Sequence, residues 1–433
     1  MKIIISNIVS LNLGDAAILQ GTIATLTEKY GNDVKIIVYD AMSSTASRLY
    51  PWAEFKQALF YIPNRSLIRA LLVRLKRGYR YDPLRLFRLT IAGKLAKKGL
   101  GLLSSLITNS EEMAGLQEYL SADLVVSTGG TYLIENYDLN KNIADYLLTI
   151  RLGIRLGFYT QTIGRLTTPY YRKSFHEIFP SAEFIFLRDR RSKNNVIHNG
   201  GYNGSNISII PDAAFKLFRK IPKGGPEWCK SITNIAISVR ELRYFDEKSS
   251  DIFFNELAIL CDYLIANKKT VTFISTCQGV SEYWTDDAQT AQKVISRMTP
   301  KYQSKVLVDI DFHQPGELIS LYSEFDLVLA TRMHAAILSL CAGTLTIGLA
   351  YEFKIDELFS SLGLPDYSIK PEHVTAQGLV ELIEECDRNS ATKRLKQLNN
   401  AEKLYQLTDL ALALLPNPAF ANPPLLSLRD TPK

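Results

Sequence analysis

Short runs of β-branched and apolar residues recur along the chain, and most are followed by a longer segment with apolar residues at helical spacing. This alternation constrains the fold more than any other feature. A strand that leads into a helix rejoins its sheet by a crossover, which makes its neighbours parallel. The spacing predicts strands at Ile3–Ile8, Val34–Asp40, Asp123–Thr128, Gly157–Gly164, Phe184–Arg188 and Ile207–Pro211. A second series follows at Ile235–Arg240, Thr270–Cys277, Val306–Ile310, Leu327–Thr331 and Leu345–Ala350. Helices are expected between them, among them Ala16–Lys29, Tyr170–Phe179, Ile252–Asn267, Asp286–Met298 and Ala335–Cys341.

The series breaks near Phe218–Lys230, where Ile221-Pro222-Lys223-Gly224-Gly225-Pro226 has linker composition. The expected fold is α/β, with two Rossmann-like domains facing a cleft. They take residues 1–220 and 230–390, with a helix over 391–415 crossing back onto the first domain. Residues 416–433 form a loose tail with four prolines between Pro416 and Pro424. The 433 residues, 46% hydrophobic and 22% charged, hold enough apolar material for two cores. Five scattered cysteines without a CxxC pair point away from a disulfide scaffold or a cysteine-rich zinc site and toward a reducing cytoplasm.

The opening apolar run Ile3–Ile5 is soon broken by Asn7, Asn12 and Asp15, so it reads as a strand rather than a signal peptide. The longest uncharged run, Met333–Tyr351, contains His334 and Ala342-Gly343-Thr344 and is expected to be a buried helix, a turn and a buried strand. No transmembrane helix is expected.

The net charge of +6 hides an asymmetry. Arg65–Lys98 carries eleven basic residues against the single acid Asp82, interleaved with leucines and Phe87. Within an insertion at 63–107, this pattern suits a basic amphipathic helix pair on an anionic membrane surface, or a solvated hairpin decorating the first domain. Nucleic acid is not the expected partner, because no stacking platform accompanies the charge.

In open parallel sheets ligands lie beyond the carboxyl ends of strands, which selects the residues that matter. After the first strand comes Asn12-Leu13-Gly14-Asp15. Gly14 permits close backbone approach, and Asp15 either caps the helix or serves as a base or sugar contact. Thr128-Gly129-Gly130-Thr131 ends another strand, as a plain turn or a ligand loop. Arg188-Asp189-x-x-Ser192 follows a third and reads as a helix cap with surface arginines or as part of the site. Asp212 follows a fourth, where it orders the loop.

The strongest signal is in the second half. Arg240 ends one strand, and Arg332-Met333-His334 follows another in the equivalent place, at a helix start where free N–H groups favour anions. Together they describe a site for a small, multiply negative molecule. The phosphate loop GxxxxGK[ST], the GxGxxG fingerprint, the GxSxG elbow and HExxH are all absent from the sequence. Asp309-Ile310-Asp311 has DxD spacing but sits at a plain strand end.

In this order the motifs resemble the polysaccharide pyruvyl transferase family. Asn12-x-Gly14-Asp15-x-Ala17 is similar to its opening, Gly129-Gly130 to its glycine-rich strand end, and Gln161-Thr162-Ile163-Gly164 to its Q-x-I-G element. Arg188-Asp189-x-x-Ser192 matches R-D-x-x-S. The most specific likeness is Arg332-x-His334-Ala335 followed by Tyr351-x-x-Lys354.

The resemblance implies a GT-B-like architecture and transfer of a pyruvyl group from phosphoenolpyruvate to a sugar of a cell-surface polysaccharide or its lipid-linked precursor, closing a cyclic ketal. It implies no cofactor and no metal. Arg240 and Arg332 are then expected on the donor's phosphate and carboxylate, and His334 as general acid. Asp15 activates or places the acceptor, and Asn12, Gly14, Gly129, Gly130 and Lys354 contribute loop contacts. The expected location is the cytoplasm, at the inner face of the membrane. Two alternatives stand beside this one: a GT-B glycosyltransferase using a nucleotide-sugar, and an inactive membrane-associated binding homologue.

Overall fold

A computed structural model describes residues 1–62, 83–223, 230–242, 245–277, 280, 286–350 and 353–418. The linker glycines, Cys229, Tyr351, the part of the basic segment from Arg65 to Asp82 and the end of the tail lie outside them.

Near-continuous apolar runs such as Leu124–Val126 and Leu327–Ala330 have no polar face, so they are stable only where helices cover both sides of a sheet. Two such sheets form. The first comprises β1 (Lys2–Ile8), β2 (Lys35–Asp40), β3 (Glu54–Gln57), β4 (Leu124–Ser127), β5 (Gly130–Leu133), β6 (Arg155–Ile163), β7 (Phe184–Leu187) and β8 (Ile207–Ile209). Its order is β3-β2-β1-β4-β6-β7-β8, with β5 added beside β6. The second comprises β9 (Asn234–Ser238), β10 (Thr270–Ile274), β11 (Leu307–Asp309), β12 (Leu327–Ala330), β13 (Leu345–Leu349) and β14 (Ser368–Ile369), in the order β11-β10-β9-β12-β13-β14. All pairings are parallel. The second order is that of a dinucleotide-binding sheet, and in both sheets the direction of winding reverses at the central strand.

One cluster of buried apolar side chains runs from the inner face of the first sheet through Phe215 and Phe218 into the second domain. The helices Ser390–Thr408 and Leu410–Leu414 return to the first domain. There Lys216 Nζ contacts Asp409 at 2.6 Å and Lys29 Nζ donates to the Leu412 carbonyl at 2.8 Å. The apolar run after Arg332 folds as the buried helix Met333–Cys341 and then β13. Among the described residues no helix is long and apolar enough to cross a membrane.

The basic segment departs from a uniformly exposed face. Within helix Pro83–Lys97, Arg85 is buried and Arg88 half-buried, and both converge on the buried carboxylate of Glu112, at 3.0 and 2.7 Å. Arg85 also donates to the Leu59 and Ile62 carbonyls. A positive residue count along one stretch does not reveal an acid that arrives from a later helix, here Ser110–Leu120.

Candidate active site

The two reversal points face each other across the cleft. In the second sheet the chain leaves β9 toward Arg240 and β12 toward Arg332 and His334. In the first it leaves β1 toward Asn12–Asp15 and β4 toward Gly129–Thr131. Between them lies a cavity of about 430 Å³ whose walls include Asn12, Asp15, Thr131, Arg240, Arg332, His334 and Lys354. That volume suits a small-molecule site.

Helix starts from both domains border this cavity. Asn12, not Asp15, caps helix Leu13–Tyr30: its side chain accepts from the Gly14 N–H at 3.0 Å. This leaves the Asp15 carboxyl on the cavity wall. The Leu13 N–H donates across the cleft to the Thr276 carbonyl at 3.3 Å, which ties the two domains at the site. The reason for glycine at 14 is contact with the opposite domain, since an added Cβ would stand 2.3 Å from His334 Nδ1. Gly129 and Gly130 are not among the cavity-lining residues. A Cβ on Gly129 would collide with Thr160, and Gly130 adopts φ +124° beside Tyr132. Thr131 and Tyr132, just after them, line the cavity instead.

A chain of polar groups approaches His334, whose buried Nε2 has no hydrogen-bond partner among the described residues. Its Nε2 lies 3.6 Å from Asp212 Oδ2. Asp212 in turn takes a hydrogen bond from Arg188 at 2.7 Å and one from the Ala214 N–H at 3.0 Å. Arg188 also donates to Thr131 at 2.9 Å. Burial pushes the Asp212 carboxyl up, but His334 beside it and the Arg188 charge outweigh burial and hold it below the usual carboxylate range. Arg188 is therefore internal rather than surface charge. Asp189 caps helix Arg190–His198 through the Ser192 N–H at 2.6 Å. The Ser192 hydroxyl accepts from the Ile163 N–H at 3.0 Å, so the R-D-x-x-S and Q-x-I-G elements are joined directly. Gln161 closes the same network by donating to the Gly130 carbonyl at 3.0 Å.

Asp287 went unnoticed in the sequence. Its carboxylate meets Arg332 through Nε at 2.6 Å and Nη2 at 2.5 Å, and also accepts from the Thr276 and Cys277 N–H groups. Arg332 is thus half of a buried, bidentate ion pair, with two of its five donors turned to Asp287. The signal that could have found Asp287 is general: a guanidinium expected inside a core demands an acid. Asp15 shows the opposite behaviour to Asp212. Burial pushes its carboxyl up to about 6, against the pull of His334, a Tyr132 hydrogen bond, Arg188 and Lys354.

Among the described residues no cluster of three His, Cys, Asp or Glu side chains is arranged to hold a metal. Asp309 of the DxD sequence instead contacts His313 Nε2 at 2.6 Å and accepts from the Asp311 N–H.

The chain resembles solved structures across nearly its whole length, at identities that speak for fold alone. A glycosyltransferase from Rickettsia africae superposes with a TM-score of 0.55 at 12% identity, over 95% of both chains. The trehalose-6-phosphate synthase OtsA gives 0.56 at 12% identity, over 97% of this chain and all of that one. The architecture is therefore GT-B-like. In sequence, the chain is 26% identical over 383 residues to the amylovoran biosynthesis protein AmsJ of Erwinia amylovora, covering 84% of this chain and 87% of that protein. The family model for polysaccharide pyruvyl transferase matches residues 12–352, from the Asn12 cap to just past β13. With that match and this geometry, the chain belongs to the polysaccharide pyruvyl transferase family.

Proposed function

We propose that this enzyme transfers the pyruvyl group of phosphoenolpyruvate to a diol on a sugar of an exopolysaccharide or its lipid-linked precursor, releasing phosphate and leaving a pyruvate ketal. The observation that carries this reading is the convergence of Arg240, Arg332, His334 and Lys354 on one cavity in a chain of this family. The donor bears a phosphate and a carboxylate, and both need cations in a partly desolvated site. Arg240, Lys354 and Arg332 supply them. His334, with Asp212 near its ring and Gly14 packed against it, protonates the methylene carbon. A first sugar hydroxyl adds to the resulting electrophilic carbon and loses its proton. A second displaces phosphate from the same carbon and closes the ring. Asp15, on the wall of the same cavity and within the field of His334, receives an acceptor proton in this reading.

The enzyme works at an anionic membrane surface in this reading. Support comes from a ridge formed by helices Pro83–Lys97 and Gly101–Leu106. Phe87, Leu102 and Leu106 are 65%, 87% and 79% exposed, Lys94 and Lys98 are exposed beside them, and no acid occurs between Pro83 and Ser110. Apolar side chains flanked by lysines match an anionic lipid interface. Through Arg85 the ridge is fastened to the turn Leu59–Tyr61, which lines the cavity.

Incubation with phosphoenolpyruvate and a lipid-linked glycan extract, read by mass spectrometry, tests the reading. A mass gain of one ketal with phosphate release is expected. A hexosyl gain from a nucleotide-sugar, or donor binding without any turnover, would replace it.

A further inference from the structure

The cavity has a second wing that the donor does not require. Away from the cationic groups its wall is built by the first domain alone: Tyr39 on β2, Tyr61 in the turn Leu59–Tyr61, Tyr119 at the end of helix Ser110–Leu120, and Asn142 and Asp145 on helix Asn140–Arg151. Three features mark this wing as a built site rather than a leftover space. The Tyr119 hydroxyl donates to Asp145 at 2.5 Å, which fixes the carboxylate. Asn142 is held by its side-chain amide on Asn7, itself in the left-handed region at φ +61°. Tyr39 is only 3% exposed, yet its hydroxyl finds no hydrogen-bond partner among the described residues. A buried hydroxyl of this kind usually has a partner, and on a cavity wall a ligand hydroxyl can supply one. At the mouth, Tyr61 remains 44% exposed while the Lys141 ammonium covers its ring at 3.7 Å from the centroid.

We infer that this wing is the acceptor subsite and that it takes an uncharged hexosyl residue, with Asp145, Asn142 and the Tyr39 hydroxyl on the sugar hydroxyls and the Tyr61 ring along its apolar side. The inference rests on the proposed transfer reaction, and it adds the residues and the class of sugar. Aromatic rings beside a few fixed polar groups are the usual lining of a small-molecule pocket. The choice of a neutral sugar follows from charge. Among the described residues, Asp138 and Asp145 share this wall with one cation, Lys141. A uronic acid carboxylate would face carboxylates at close range. Burial pushes Asp145 up to about 6, yet near neutrality it is still mostly ionised and accepts hydrogen bonds from hydroxyls.

Saturation-transfer NMR with p-nitrophenyl glucoside, galactoside, mannoside and glucuronide tests this without turnover, and calorimetry with phosphoenolpyruvate runs in parallel. At least one neutral glycoside is expected to bind the wild type. Binding should weaken roughly tenfold or more in Tyr61→Ala and in Asp145→Asn, while the phosphoenolpyruvate affinity of both variants stays within twofold. Tyr61→Ala alters a partly exposed side chain and keeps the test readable if Asp145→Asn fails to fold. The inference is overturned if no neutral glycoside binds, if the glucuronide binds more tightly, or if Tyr61→Ala leaves glycoside binding unchanged. Failure of phosphoenolpyruvate to bind the wild type would instead remove the donor reading, whatever the glycosides do.

Discussion

The two ends of the cavity are built by different means. The cationic end is made of residues two to four positions beyond β9 and β12, the central strands of the second sheet, together with Lys354 at the start of helix Phe353–Ser361. The tyrosine-rich end is assembled from a strand, a short turn and the faces of two helices, spread over more than one hundred residues. A donor with fixed charges needs a few strong groups at exact places, and strand ends at a reversal point provide them. A sugar needs a broad surface with many weak contacts, and helix faces provide that. If the two ends bind as proposed, the difference teaches that charge recognition leaves a compact trace in sequence, whereas carbohydrate recognition does not.

The largest effect should come from the cationic end. His334→Ala is expected to reduce the transfer rate by roughly 10²- to 10⁴-fold, the range for a lost general acid, with phosphoenolpyruvate affinity changed by less than tenfold. Steady-state kinetics with a calorimetric binding control checks this. A variant with wild-type turnover would return the acid role to another group, and Asp15 is the next candidate.

Gly14→Ala probes the seam between the two ends. The added methyl would overlap the imidazole of His334, so the ring must move. A displacement of about 1 Å at a catalytic group costs roughly a hundredfold in rate. We expect a loss of about ten- to a hundredfold in kcat with unchanged circular dichroism. A silent substitution would show that the close packing of Gly14 on His334 is incidental.

The smallest effect concerns Asp15. Its carboxyl is raised from 3.8 to about 6 in the fold. Below both values it is protonated in folded and unfolded chains and affects neither. As pH rises from about 4 to about 6 the unfolded chain releases this proton first, so the folded state loses stability across that window. Asp15→Asn removes the penalty. Relative to wild type the variant should gain about 1–2 kcal/mol between pH 4 and pH 7.5, as read from urea unfolding at both values. A stability difference that does not change with pH would mean the carboxyl is well solvated.

The unequal legibility of the molecule follows from the same contrast. Eleven strands were visible as apolar runs because parallel strands are buried on both faces. Three were not: β3, β5 and β14 are edge or supplementary strands of two to four residues, too short to show a period. Arg240, Arg332, His334, Lys354 and Asp15 were nominated from strand ends and motif likeness, and the fold brings all five to one cavity. The partners that hold them were not nominated. Asp287 lies outside any recognised motif, and Asp212 read as a loop-ordering residue. Their roles depend on where two distant strands end relative to each other. Glu112 was missed for the same reason, and so Arg85 and Arg88 read as exposed charge when they are buried or half-buried ties. Asp145 and the tyrosines around it have no spacing in common at all.

The central claim is that a small, multiply anionic donor is held by the cationic end. Calorimetric titration of phosphoenolpyruvate into wild type and into the Arg240→Gln/Lys354→Gln double variant tests it most directly. The account predicts binding to the wild type and a loss of tenfold or more in the variant, since each charge-assisted contact removed is worth about 1.5–3 kcal/mol. No binding to a folded wild type, or equal affinity in both proteins, would contradict it.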